Sequence, residues 1–260
     1  MNRSIRQRSP GIQNLFKTRF TNAKINEMKH KHIFYGLVSL LVLTVSCGED
    51  DNYAAPDAGI RGSVIDNITK QPIQTEMPNG IRIRMLEKKY ATPANIDFWV
   101  KADGTFENTK VFTGVYDIMP IEGAFFPVDA KEVNVQGMTE VNFTVIPYLA
   151  ITASAAASPG TVTFTYKLSR SQAAGKITEA RVMASSIPTV NTTVFDQING
   201  ANKSVTRDLS GIDDEVILDS EYTDTIAGLV SGKTYYVRVA ARTSTIAKYN
   251  YSPVIIVQVP

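Results

Sequence analysis

The chain has 260 residues, 43% hydrophobic and 20% charged, with 16 Gly, 12 Pro and a formal net charge of +2. This composition excludes a disordered, collagen-like or multi-span membrane chain. There is one cysteine, Cys47, and there are two histidines, His30 and His32. All three lie in or beside the first patterned segment, Ile33–Val45, an uncharged apolar run of 13 residues. A spanning helix needs about 20 apolar residues, so a run of this length suits the core of a signal peptide. Lys29 and Lys31 supply its basic flank. Met28 stands where such a peptide would start, which makes residues 1–27 an extension ahead of the expected first residue.

The run ends Leu43-Thr44-Val45-Ser46-Cys47-Gly48. This resembles a bacterial lipobox, with Thr44 where most lipoboxes have Leu. The resemblance implies cleavage before Cys47 and acylation of that residue, and several acyl chains hold a protein stably in a membrane. Residues 1–46 are then a signal peptide and residues 47–57 a flexible acylated tether. The following Gly48-Glu49-Asp50-Asp51 resembles the surface-export signal of Bacteroidota lipoproteins, which implies the outer leaflet of the outer membrane. The plainer reading of the same four residues is a solvated acidic tether.

A mature chain beginning at Cys47 has no histidine, and its one cysteine is its first residue. Ser or Cys nucleophiles activated by His, His-ligated zinc or iron and internal disulfides are thereby excluded. It holds 19 basic and 24 acidic residues, a net charge of −5. With no basic stripe, this argues against nucleic acid as a partner.

Beyond the tether almost everything reads as strand. Gly80–Glu87 alternates with period two, Ile81, Ile83 and Met85 facing one way and Arg82 and Arg84 the other. The pattern recurs over Val133–Val145, and Gly104, Gly114 and Gly137 punctuate at turn-like spacing. No amphipathic helical stretch exceeds about two turns. The expected fold class is all-β, two tandem antiparallel β-sandwiches over residues 58–147 and 148–260, joined at Pro147-Tyr148.

Ile60-Arg61-Gly62-Ser63-Val64-Ile65-Asp66 and Thr69-Lys70-Gln71-Pro72-Ile73, with Asp103-Gly104-Thr105-Phe106 and Gly114-Val115-Tyr116, resemble a carboxypeptidase-regulatory-like (transthyretin-like) domain. Asp103-Gly104 suits a hairpin turn with positive φ, and Phe106 and Tyr116 are expected to share one sheet face. Leu229–Val239 (LVSGKTYYVRV) resembles the end of a fibronectin type III or related immunoglobulin-like domain, with Tyr235 as its tyrosine corner. Pro253 opens Val254–Val259 as a last strand, at an edge because proline donates no ladder hydrogen bond.

The whole mature chain resembles a two-domain Bacteroidota lipoprotein family of unknown function that accompanies starch-utilisation-type glycan uptake systems. The segments Pro72–Glu76, Asp97–Trp99, Phe106–Lys110 and Glu122–Val128 carry this likeness. It implies three partners: the outer membrane through the lipid anchor, a polysaccharide ligand and an outer-membrane glycan transporter complex. It brings no catalytic residue and no cofactor.

Carboxylates are the remaining route to acid–base chemistry. The densest group, Asp213, Asp214, Glu215, Asp219, Glu221 and Asp224, reads as solvated surface, with calcium binding and catalysis as the sharper alternatives. Aromatics matter more for sugars. Trp99 is the one tryptophan, preceded by Phe98 and, across a Pro- and Asn-containing loop, by Tyr90. The plainer reading places Tyr90, Phe98, Trp99, Phe125 and Phe126 in a core, but adjacent residues of a strand face opposite ways. Tyr90 and Trp99, with Asn95 and Asp97, are therefore the candidate glycan-binding residues. No catalytic or metal-binding residue is expected. The sequence reading favours a non-catalytic surface lipoprotein accessory to glycan capture. Its alternatives are a structural or adhesive scaffold that docks partner proteins and a periplasmic hydrolase.

Overall fold

The first sandwich begins where Ala58-Gly59-Ile60 enters a strand, and its two sheets are interleaved along the chain. Its strands are β1 (Ala58–Asp66), β2 (Arg82–Glu87), β3 (Asn95–Trp99), β4 (Thr105–Val111), β5 (Gly114–Ile121), β6 (Lys131–Val135), β7 (Met138–Glu140) and β8 (Phe143–Val145). One sheet has the order β4-β1-β7, with β8 also on β1; the other has the order β3-β2-β5-β6. The computed structural model describes residues 54–260, so the apolar run, Cys47 and the tether up to Tyr53 lie outside the described residues.

The alternation in β2 sets the sidedness of its sheet. Ile83 and Met85 are fully buried, while Arg82 and Arg84 stand half-buried on the outer face. Val133–Val145, patterned as one stretch, makes three strands in two sheets. Gly137, at φ +57°, turns the chain after β6. β6 stays antiparallel to β5, and β7 and β8 cross over to pair parallel with β1. The first sandwich is thus antiparallel except where β7 and β8 join β1. Phe106 and Tyr116 do not share a sheet face as expected. They face each other's sheets from β4 and β5, both buried in the same core. The Asp103-Gly104 turn forms as expected, with Gly104 at φ +84° and the Asp103 carboxylate accepting from the Thr105 N–H at 3.0 Å.

The second sandwich comprises β9 (Ala150–Ser158), β10 (Thr161–Ser169), β11 (Ile177–Ser185), β12 (Gln197–Ile198), β13 (Ala201–Asn202), β14 (Ser204–Asp208), the short helix α1 (Asp214–Asp219), β15 (Glu221–Ala227), β16 (Thr234–Thr243), β17 (Asn250–Tyr251) and β18 (Ile255–Gln258). A sheet of order β15-β10-β9 faces a sheet of order β14-β11-β16-β17, and β12 and β13 form a small hairpin. β18 pairs with β16 beyond Pro253, at the sheet edge, where a proline is tolerated. Tyr235 is buried, and its hydroxyl accepts the Val230 N–H at 3.0 Å, tying down the turn five residues upstream.

Residues Ala55–Pro260 make one compact unit. The joint at Pro147-Tyr148 is itself packed. The Tyr148 N–H donates to the Ala124 carbonyl at 3.0 Å, and the Tyr148 ring meets Phe126 edge-on with centroids 5.0 Å apart. Deeper in, the Arg238 guanidinium of β16 lies over the Tyr251 ring at 4.4 Å. It donates to the Ser252 carbonyl at 2.7 Å and, across the joint, to the Thr75 carbonyl at 2.9 Å. Glu76 of the first sandwich accepts from the Tyr251 hydroxyl at 2.7 Å and from the Thr192 hydroxyl at 3.1 Å. Burial pushes the Arg238 guanidinium down to about 10, so it stays charged at neutral pH. A charge taken out of water needs such partners, and here half of them belong to the other sandwich.

Candidate functional site

Period-two alternation brings Asn95, Asp97 and Trp99 onto the outer face of β3, the edge strand of its sheet. The register sets Trp99 opposite Arg82, Asp97 opposite Arg84 and Asn95 opposite Leu86. The Arg82 guanidinium lies over the Trp99 ring at 5.2 Å. Its Nε donates to Glu122 at 3.0 Å, and its Nη1 lies 3.5 Å from Asp97. Arg84 grips Asp97 with two parallel hydrogen bonds of 2.9 and 2.7 Å. Those bonds hold the Asp97 carboxyl below its ordinary value, because they favour the charged form. The Trp99 ring is half-buried. One side is covered by a guanidinium and no strand flanks the other, since β3 ends the sheet.

Tyr90 does not join this group. It lies in the connection between β2 and β3, its N–H donating to the Glu87 carbonyl at 3.4 Å, at the far end of the hairpin from the Arg82–Trp99 pair. Asn95 to Trp99 alone spans about 13 Å at ~3.3 Å per residue. Tyr90 and Trp99 therefore do not flank one patch. Of the paired aromatics, Phe98 packs partly into the core and Trp99 faces out; Phe125 enters the core and Phe126 enters the joint.

Sequence reasoning missed Arg82, Arg84 and Glu122 as members of the site. The alternation of β2 already placed both arginines on the solvent face. What it lacked was register, because a seven-residue connection between β2 and β3 leaves the pairing open.

A concavity of about 250 Å³ lies between the sandwiches and is lined by Gln71, Ile73, Gln74, Leu149, Tyr251 and Pro253 among others. Some of its polar groups are committed to the joint. The Asn250 amide on its wall donates to the Ala124 carbonyl at 2.9 Å and accepts the Leu149 N–H at 3.0 Å. The Tyr251 hydroxyl is held by Glu76.

The acidic group of the second sandwich disperses. Asp214 pairs with Arg170 at 2.9 Å and accepts the Ile177 N–H at 3.0 Å. Asp224 joins Arg207 and the Tyr166 hydroxyl in a contact that bridges the two sheets. Asp213, Glu215, Asp219 and Glu221 are exposed. Among the described residues no three such side chains converge as metal ligands.

Residues 58–146 match the family described as protein of unknown function DUF3823, N-terminal domain. That match covers the first sandwich. Crystal structures from Bacteroides uniformis resemble the longer chain. One is of a candidate carbohydrate binding protein, 25% identical, covering 78% of this chain and 100% of that one with a TM-score of 0.67. Another, of a DUF3823 family protein, is 25% identical and covers 79% and 100% with a TM-score of 0.68. A DUF3823 family protein from Parabacteroides merdae, 21% identical over 79% of this chain and 100% of its own, shares the fold with a TM-score of 0.59. No curated protein matches the sequence.

Proposed function

We propose that this chain is a non-catalytic lipoprotein of the outer-membrane surface, anchored through Cys47, that holds polysaccharide on the Trp99 face of its first sandwich. The observation that carries the reading is an indole set on a sheet edge among Arg82, Arg84, Asp97 and Glu122. A flat apolar face then lies beside charged donors and acceptors, the pairing that a sugar's CH surface and hydroxyls require. The Bacteroides uniformis structure of a candidate carbohydrate binding protein supports it. So do the resemblance of Leu43–Gly48 to a lipobox and the acidic Glu49-Asp50-Asp51 that follows it.

Affinity at one site is low. Covering about 70 Å² of ring at ~25 cal/mol/Å² contributes under ~2 kcal/mol. Millimolar binding already needs about 4.1 kcal/mol. Hydrogen bonds and many tethered copies on one polymer supply the rest. An accessory role beside an outer-membrane glycan transporter fits such weak capture.

Affinity electrophoresis of wild type and Trp99→Ala through gels holding different polysaccharides tests the site. Retardation by at least one polysaccharide, lost in a variant of unchanged thermal stability, is the expected result. Wild type that runs unretarded in every gel overturns the glycan reading. The scaffold reading would then stand, for which the Arg238–Glu76 joint supplies a stiff two-domain body.

A further inference from the structure

The first sandwich has two unlike ends. One carries the joint to the second sandwich, where β1 finishes at Asp66, β8 at Val145 and β5 at Ile121. The other collects the start of β1, the β4–β5 turn, the β6–β7 turn and the β2–β3 connection. At that second end the Thr113 N–H donates to the Asp57 carboxylate at 2.8 Å, and the Gly59 N–H donates to the Gly137 carbonyl at 2.8 Å. The Tyr116 hydroxyl donates to the Phe112 carbonyl at 2.9 Å. Bonds of this kind fix the turns and leave their apolar side chains outside.

Those side chains are large. Tyr90 is 54% exposed, Phe112 47%, Met138 47% and Val115 39%. The first sandwich has six exposed large hydrophobics, and four of them gather here. The five on the second sandwich, Ile187, Ile212, Val216, Val230 and Ile256, are spread over separate elements and connections. Lys89 precedes Tyr90 and Lys110 lies two residues before Phe112 in the chain, and the Lys89 ammonium lies 5.6 Å from the centre of the Tyr90 ring. Aromatics with neighbouring lysines are the composition of a headgroup-level surface, where rings lie among the headgroups and ammonium groups reach phosphate.

The path of the chain selects the occupant. Asp57 is fixed at this end, and it is only ten residues further along the chain than Cys47. Fully extended, ten residues reach about 35 Å. An acylated Cys47 would keep this end within about 35 Å of the bilayer, at an effective concentration where weak insertion suffices. We propose that the Tyr90–Phe112–Met138 end rests on the lipid surface, so that the second sandwich is held away from the membrane. The proposal rests on acylation of Cys47, and it assigns Tyr90 to lipid rather than to glycan.

The test uses the full lipidated chain reconstituted into vesicles of phosphatidylethanolamine and phosphatidylglycerol, with plain or brominated acyl chains. Three proteins are compared: the native chain with Trp99, Phe112→Trp in a Trp99→Phe background, and Tyr90→Trp in the same background. Because both new positions are exposed, at least one variant should keep the wild-type circular dichroism, and that variant is the one read. The expected result is loss of emission in brominated vesicles for position 112 or 90, with native Trp99 unchanged. Protein that floats with the vesicles but shows equal emission in both lipids overturns the orientation alone. Protein that does not float overturns the anchor and the orientation together.

Discussion

Asp97 shows how one carboxylate can be fixed without being deeply buried. Arg84 meets both of its oxygens, and Arg82 approaches from the neighbouring position of β2. Its folded value is depressed, so the stability it contributes is present above the unfolded carboxyl value of about 3.9 and is lost as pH falls through the lower folded value. Between pH 7 and pH 4 this pair therefore leaves the urea midpoint unchanged, and below about pH 4 the midpoint falls. Asp97→Asn should cost about 1 kcal/mol at pH 7, below the ~1.5–3 kcal/mol scale of charged hydrogen bonds because the site is within reach of solvent. The variant's midpoint should then fall less steeply in acid; a drop parallel to wild type would mean that Asp97 holds nothing. At this scale the sequence was partly legible. Alternation placed Trp99 opposite in sense to Phe98 and both arginines outside. It could not place Trp99 beside Arg82, because cross-strand register is decided by the whole sheet.

Among elements, β1 is the one whose sequence motif has a physical reason visible only in three dimensions. Gly62, at the head of the Gly-x-Val pattern, lies under the segment that joins β7 to β8. A Cβ there would stand 1.7 Å from the Val141 carbonyl oxygen and 2.8 Å from the Phe106 ring. The close approach lets the Val141 N–H donate to the Arg61 carbonyl at 2.9 Å and the Ser63 N–H donate to the Asn142 side chain at 2.8 Å. Gly62→Ala should destabilise the protein by about 1–3 kcal/mol, the scale of overpacking a filled site, read as a lower thermal midpoint. An unchanged midpoint would show that β7 and β8 move away freely. The strand character of β2 was plain in its alternation, whereas that of β1 and β5 came only through the family resemblance. The division of Val133–Val145 between two sheets was not legible, since alternation reports which residues are buried and not which sheet buries them.

For the molecule as a whole, the Arg238 joint decides whether two sandwiches behave as one body. In the alternation of β16, Arg238 occupies an outward position, the usual place for a charge on a solvent face. It is outward only with respect to its own sandwich, and the Gln74–Glu76 segment of the other sandwich closes over it. No pattern within the second half could announce that cover. Removing the guanidinium leaves Thr75 and Ser252 carbonyls without their donor and Glu76 without its nearby charge. Arg238→Met should therefore cost about 3–5 kcal/mol, the scale for stripping one partner from a buried charged cluster. In a calorimeter the native chain should unfold in one transition and the variant in two. Two transitions in the native chain would show that the sandwiches are coupled only weakly.

The parallel placement of β8 on β1 bears on how the molecule carries load. The chain enters β1 at one end of the first sandwich and leaves β8 at the opposite end, towards the second sandwich. A pull on the second sandwich against the start of β1 would draw these two strands lengthwise past each other. Their ladder, together with that of β7, is then strained all at once instead of being opened rung by rung from one end. The pairing that interrupts an otherwise antiparallel fold thus makes the first sandwich a shear clamp between the segment that enters β1 and the second sandwich.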